Sequence, residues 1–240
     1  MKKGIILCIM VLFMTSAVLT AQVPEWQWAT RTGGISHDYC FGISVDADGN
    51  SYITGKFKGT ATFGDDSITS SGLDDIFVAK LDTDGNWQWA KQAGGSYYDW
   101  GEGISVDTDG NSYVTGWFEG TAFFGADSLT SSEDQDDDIF VAKLDADGNW
   151  LWVKGAGGIA DDDGRGISID AAGNSYITGI FKETATFGAF TLTSIDYFDV
   201  FVAKLGTDGN WQWAEQVGGP GADFSNGISL DADGNSYVAG

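Results

Sequence analysis

Apolar and polar positions alternate in short runs along most of the chain, and no long run keeps the 3.6-residue apolar period of a helix. "GISVD" (42–46), "SYITGKF" (51–57), "DIFVAKLD" (75–82) and "NWQWAKQ" (86–92) are rich in β-branched and aromatic residues. Gly or Asp-Gly separates them, so they read as four strands, a to d. The set then returns. "GISVD" recurs at 103–107, "GISID" at 166–170 and "GISLD" at 227–231, with spacings of 61, 63 and 61. "FVAKL" occurs at 77–81, 140–144 and 201–205; "WQWA" occurs at 26–29, 87–90 and 211–214, with "WLWV" at 150–153. Repetition at a fixed period marks an array of one supersecondary unit.

A repeated four-stranded meander predicts an all-β chain, a β-propeller of antiparallel four-stranded blades with repeats of about 61 residues. The Gly and Ser of strand a suit the crowded centre and place a innermost; strand d is outermost. The surplus length lies between b and c, where "TATFG" and "SITSS" are expected to form a small extra hairpin. The two Trp of each W-x-W pair are two residues apart, which in a regular strand places them on one face, as core between neighbouring sheets. The chain opens with a lone d strand, runs through abcd three times and ends after a and b at Gly240. Propellers usually have four to eight blades. The expectation is therefore an incomplete ring, an open arc of about three and a half blades, truncated at the C-terminus. Its open blade edges invite self-association.

"DADGNSYITGKFKGTATFG" followed by "DDIFVAKLDTDGNWQWAKQAGG" resembles the bacterial β-propeller repeat family called SBBP, and the a–b portion also resembles NHL repeats. The resemblance implies a secreted or surface-exposed propeller and carries no general catalytic assignment.

Residues 1–21 have the layout of a secretory signal peptide: Lys2 and Lys3, an apolar run from Ile5 to Met14, then small residues to Ala21. The repeat domain is then 22–240, and the expected location is secreted or at the cell surface. The formal charge is −23, and losing Lys2 and Lys3 makes the remainder more acidic still. Nucleic acid is excluded as a partner, because phosphate binding needs clustered Lys and Arg. No segment after the first 21 residues is apolar enough for a membrane helix. Cys40 is the sole cysteine outside the leader and aligns with Gly101, Gly164 and Ser225, a small-residue position.

The meander sorts its loops onto two faces. Every a–b and c–d turn ends in Gly-Asn, from "DADGN" at 46–50 to "DADGN" at 231–235. Asp46, Asp48, Asp107 and Asp109 are weak candidates for Ca2+, because a calcium site needs six to eight oxygens. The reading preferred here is a hairpin staple: Gly in a left-handed conformation, with Asp46 accepting a bond from the Asp48 amide. The d–a and b–c loops vary, and variable loops on a repeated scaffold carry binding. The ligand-face candidates are Asp38, Tyr39, Tyr98, Asp99, Trp100, Asp162, Arg165, Asp223 and Phe224. Asp38, Asp99, Asp162 and Asp223 recur in every unit and are read as caps on loop amides. The second b–c loop carries the acidic run "EDQDDD" at 133–138. His37 is the sole His, and the other units have Tyr98, Asp161 and Ala222 in its place, which argues against a nucleophilic triad. The function expected is a non-catalytic binding or adhesion scaffold with no cofactor, taking a protein or glycan ligand. The alternatives are a calcium-binding structural propeller and a fragment of a carbohydrate-active enzyme.

Overall fold

The computed structural model describes residues 27–133 and 135–240, so the expected signal peptide lies outside the described residues. The first blade comprises β1 (Tyr39–Val45), β2 (Ser51–Phe57), β3 (Thr60–Phe63), β4 (Asp66–Thr69), β5 (Asp75–Leu81) and β6 (Trp87–Ala93). The second comprises β7 (Asp99–Val106), β8 (Ser112–Phe118), β9 (Thr121–Phe124), β10 (Asp127–Thr130), β11 (Asp138–Leu144) and β12 (Trp150–Gly158). The third has β13 (Asp163–Ile169), β14 (Ser175–Phe187), β15 (Phe190–Leu205) and β16 (Trp211–Val217); β17 (Gly227–Leu230) and β18 (Ser236–Ala239) follow as half a blade. The first sheet has the order β1-β2-β5-β6, all antiparallel, with β3 and β4 as a separate hairpin between b and c. The third blade fuses that hairpin into long β14 and β15 strands. The chain is all-β, built of propeller blades in an open arc.

The core lies between blades. Strand c is covered on both faces: Ile76 and Val78 of β5 join Val114, Phe118 and Phe140 of the next blade, while Phe77 and Ala79 join Phe57, Ala61 and Phe63 on the other side. The same arrangement recurs one blade on, where Ile139 and Val141 meet Ile177, Phe181 and Phe201. Burial of these runs drives blade stacking. Strand a lies innermost, as expected. A methyl group on Gly103 would sit 2.7 Å from the Arg165 carbonyl oxygen, and one on Gly166 would sit 2.9 Å from the Gly227 α-carbon. Ile43 of β1 is 68% exposed, whereas its counterparts Ile104 and Ile167 are 7% and 8% exposed, because among the described residues a preceding blade packs over only the latter two.

Two expectations need correction. Each W-x-W pair divides between opposite faces of its sheet. The register shifts between Lys80 and Leu81, so Trp87 pairs with Leu81 and Trp89 with Lys80, neighbours that point to opposite sides. A bulge of this kind absorbs the odd residue and turns the side chain over. Trp87 therefore meets Phe63 edge-on, while Trp89 meets Tyr52 in the other layer. The bulge recurs at Lys143/Leu144 and at Lys204/Leu205. The second correction is to the opening d strand: residues 27–32 form no strand. In the blades, d pairs with c, and no c strand lies beside this segment among the described residues. It still occupies the place of a d strand. Gly33 bridges Thr62 as Gly94 bridges Phe123, and the Trp28 indole N–H donates to the Thr83 carbonyl as that of Trp89 does to Ala146.

Candidate functional site

The regular face is built from one turn repeated. Asp46 Oδ1 accepts from the amides of Asp48 (3.0 Å) and Asn50 (2.8 Å), and its Oδ2 accepts from Asn50 Nδ2 (2.8 Å) and the Tyr52 hydroxyl (3.3 Å). Gly49 has φ +88° and donates its amide to the Asp46 carbonyl. Asp107 is engaged in the same way by Asp109, Asn111 and Tyr113. Burial opposes ionisation of Asp46 and Asp107, yet the bonds from Asn50 and Asn111 hold both carboxyls below the usual range. Where Gly206 replaces the first Asp, Asp208 takes over and binds the amide and side chain of Asn210. Of the four calcium candidates, Asp46 and Asp107 spend their oxygens on these N–H and O–H donors. The Asp48 and Asp109 amides serve the same turns.

On the opposite face, strand a runs past its Gly into what the sequence presents as loop. A bulge makes this work: pairing shifts between Cys40 and Gly42, Gly101 and Gly103, and Gly164 and Gly166. The residues left unpaired are Phe41, Glu102 and Arg165, and Asn226 stands in the same place before β17. Bulges of this kind re-aim a side chain. The residue two before each bulge pairs with strand b: Tyr39 with Lys56, Trp100 with Trp117 and Asp163 with Ile180. At these three positions the repeats, which elsewhere along the inner strands differ only at Cys40 and by Val/Ile exchanges, carry Tyr, Trp and Asp; Phe, Glu and Arg; and Lys, Trp and Ile.

They form one connected cluster at the inner end of the blades. Tyr39 stacks on Phe41 (6.0 Å), Phe41 on Trp100 (5.7 Å), and Trp100 meets Trp117 at 4.7 Å. Lys56 Nζ lies 3.5 Å from the centre of the Trp100 ring and is paired with Asp74 at 2.8 Å. On the other side Arg165 pairs with Asp163 at 2.9 Å and lies over the Phe224 ring at 5.5 Å. Glu102 lies between the two halves. Its carboxyl is pushed up by burial and by the Asp163 charge, against the pull of Arg165 and a hydrogen bond from Trp117. The Trp100 indole N–H is buried without an acceptor among the described residues. The arrangement is an aromatic shelf with one cation and one guanidinium, suited to stacking against a ring or a planar group.

The structure therefore brings together Tyr39, Trp100, Arg165 and Phe224 of the sequence candidates. Tyr98 stays out on its loop, where its carbonyl accepts from Glu119. Asp99 and Asp162 lie beneath the face, fully buried. Asp38, Asp99 and Asp223 cap the amides of Gly34, Gly95 and Gly219, and Asp162 caps Lys182. Sequence reasoning missed Phe41, Lys56, Glu102, Asp163, Trp117 and Asn226. The signal was present, since each stands where aligned repeats disagree inside an otherwise uniform strand.

The SBBP family model, described as a beta-propeller repeat, matches residues 27–56, 88–117 and 212–240. Among curated proteins, the chain is 26% identical over 236 residues to an uncharacterised WD repeat-containing protein of Acanthamoeba polyphaga mimivirus, covering 82% of this chain and 17% of that one. It is also 26% identical over 171 residues to the regulatory protein FlaEY of Caulobacter vibrioides, covering 69% of this chain and 18% of that one. The chain thus spans less than a fifth of the length of the curated relatives it matches. Among solved structures, it is similar to a protein of unknown function from Bacteroides caccae, with a TM-score of 0.44 and 11% identity over 84% of this chain and 53% of that one.

Proposed function

Because the chain carries SBBP beta-propeller repeats, we propose that it is a non-catalytic binding module whose ligand sits on the aromatic shelf at the inner end of the blades. The observation that carries this reading is the cluster of Tyr39, Phe41, Trp100 and Trp117 with Lys56, Glu102 and Arg165 at the positions where the repeats diverge. A repeated scaffold keeps its packing residues alike and varies what meets a partner. Aromatic faces beside carboxylates and a guanidinium match a glycan ring or an aromatic peptide side chain. The leader-like residues 1–21 support export and a place outside the cell or on its surface. Calcium is left out of this reading because the turn carboxylates already accept N–H and O–H donors. The uncovered flank of β1 supports a second role as a contact to further blades or another copy.

The test is a screen of glycans and peptides, read by tryptophan fluorescence and repeated on Trp100→Ala and Arg165→Ala. A ligand of this shelf should lose at least about tenfold in affinity with either change and bind Asp48→Ala unchanged. A ligand indifferent to Trp100 and Arg165 but lost with the turn aspartates would overturn the assignment.

A further inference from the structure

Behind the shelf, the junctions between the first and second and between the second and third blades each hold a pair of aspartates that ligand binding does not use. The first strand-c residue of one blade and the capping Asp of the next d–a loop come together: Asp75 with Asp99, and Asp138 with Asp162. A methyl group on Gly94 would sit 3.0 Å from Asp75 Oδ2 and 2.8 Å from Asp99 Oδ2. One on Gly157 would sit 2.3 Å from Asp138 Oδ1 and 3.0 Å from Asp162 Oδ2. Gly94 and Gly157 take φ values of +148° and +144°, and the absent side chain leaves room for the two carboxyls. Asp75, Asp99 and Asp162 are 0% exposed and Asp138 is 7% exposed.

The hydrogen bonding of these groups is lopsided. One oxygen of each is held by a donor: Asp75 by the Ser71 amide, Asp99 by Gly95, Asp138 by the Ser132 amide and hydroxyl, and Asp162 by Lys182. The other oxygen has no partner among the described residues: Asp75 Oδ1, Asp99 Oδ1, Asp138 Oδ1 and Asp162 Oδ2. Among the described residues no lysine or arginine forms an ion pair with any of them. The nearest charges are Asp74 and Glu119 at the first junction and Asp136 and Asp163 at the second, with Lys56 and Arg165 already spent on Asp74 and Asp163. Two adjacent, buried, ionised carboxylates would be strongly unfavourable.

We infer that each such junction is a buried proton-binding site, in which the two aspartates share one proton taken up from solvent as the blades pack. At the second junction the O–H of one carboxyl donates to the carboxylate of the other through the two free oxygens, Asp138 Oδ1 and Asp162 Oδ2; at the first, the oxygens that approach are Asp75 Oδ2 and Asp99 Oδ2, which also accept from the Ser71 and Gly95 amides. Burial, then the partner's charge, pushes Asp99 and Asp162 up to about 8, although the Gly95 and Lys182 amides pull the other way. Asp138 is raised to about 6 by burial, and Asp75 is raised by the same cause. An unfolded aspartate has the ordinary value of 3.8, so the folded chain holds protons that the unfolded chain releases. The stability this contributes is complete below about pH 4 and is lost as the pH rises towards 8. Packing of the blades, and with it the shape of the face above, is thereby coupled to pH. A cation fits these sites poorly, because two carboxylates ringed by N–H donors fall far short of the oxygens calcium takes.

The experiment is thermal unfolding from pH 5 to pH 8.5 of the wild-type chain and of Asp99→Asn/Asp162→Asn, in which an amide N–H replaces the shared proton. Wild-type Tm is expected to fall by roughly 4 °C or more across that range, and the Asn variant to fall clearly less and to be at least as stable at pH 8.5, its remaining slope coming from Asp137, Asp163, Glu102 and Glu119, which burial also raises. A wild-type Tm independent of pH, or an Asn variant with the wild-type slope, would overturn the inference. If the variant does not fold, infrared spectra of the wild type decide: a protonated-carboxyl C=O band must be present at pH 7 and vanish on unfolding, and its absence refutes the shared proton. Calcium is the remaining arm. A rise in Tm at pH 8.5 on adding CaCl2 to the chelator-treated wild type, absent in the Asn variant, would make these cation sites instead.

Discussion

Left-handed backbone is the costliest local requirement of this chain, and glycine meets it at nearly every such place. Gly49 at φ +88° has Thr83 Cγ2 3.1 Å from where its Cβ would be. Gly49→Val should therefore cost about 2 kcal/mol in chemical denaturation. Asp48→Ala should stay within about 0.5 kcal/mol, because the turn uses its backbone amide and Ala172 already fills that place in another repeat. Glu183 is the one non-glycine with positive φ among the described residues, at 60°, where the other two repeats have Gly59 and Gly120. Glu183→Gly is expected to gain about 0.5–1 kcal/mol, the left-handed cost less the entropy of the new glycine. No gain in the urea midpoint would mean that the Glu183 side chain contributes more than its backbone costs.

At the scale of the strand, bulges decide what faces where. In strand d the bulge sends Trp87 onto Phe63 of its own blade's extra hairpin and Trp89 into the layer shared with the next blade, so the outer strand packs into both faces of its sheet. Trp89→Ala should cost about 3–5 kcal/mol. Trp87→Ala should add to it within about 0.5 kcal/mol in a double-mutant cycle, because the two rings share no layer. Strong coupling between them would restore the same-face arrangement that a regular strand predicts. In strand a the bulge turns Phe41, Glu102 and Arg165 into the cluster with Trp100 and Trp117. The period-2 pattern of a strand is readable in sequence, but a one-residue slip reverses it and leaves no mark in composition. That is why the strands were legible and the side to which their aromatics point was not.

For the whole molecule, stability should peak in mildly acidic solution. On the alkaline side the buried aspartate pairs lose their protons. On the acid side the turn carboxylates, held below the ordinary 3.8 by hydrogen bonds from Asn50, Asn111 and Asn174, are protonated, so their contribution disappears as the pH falls below about 4. A Tm profile with a maximum near neutral or alkaline pH would contradict this balance. Hydrogen exchange should be graded along the arc: β11, buried almost throughout, slowest, and β18, with all four residues exposed, fastest. Equal protection at both would mean that the last half-blade is covered in solution. The sequence by itself determined the repeat, the four strands, the extra hairpin, the Gly-Asn turn with its Asp staple and the inner place of strand a. All of these rest on interactions within about one repeat or on the period itself. Only the tertiary structure decided which divergent residues meet, which face each tryptophan takes and which aspartates are buried in pairs. Those outcomes depend on bulges and on contacts between residues roughly sixty positions apart, where the geometry of stacking, not the local pattern, sets the neighbours.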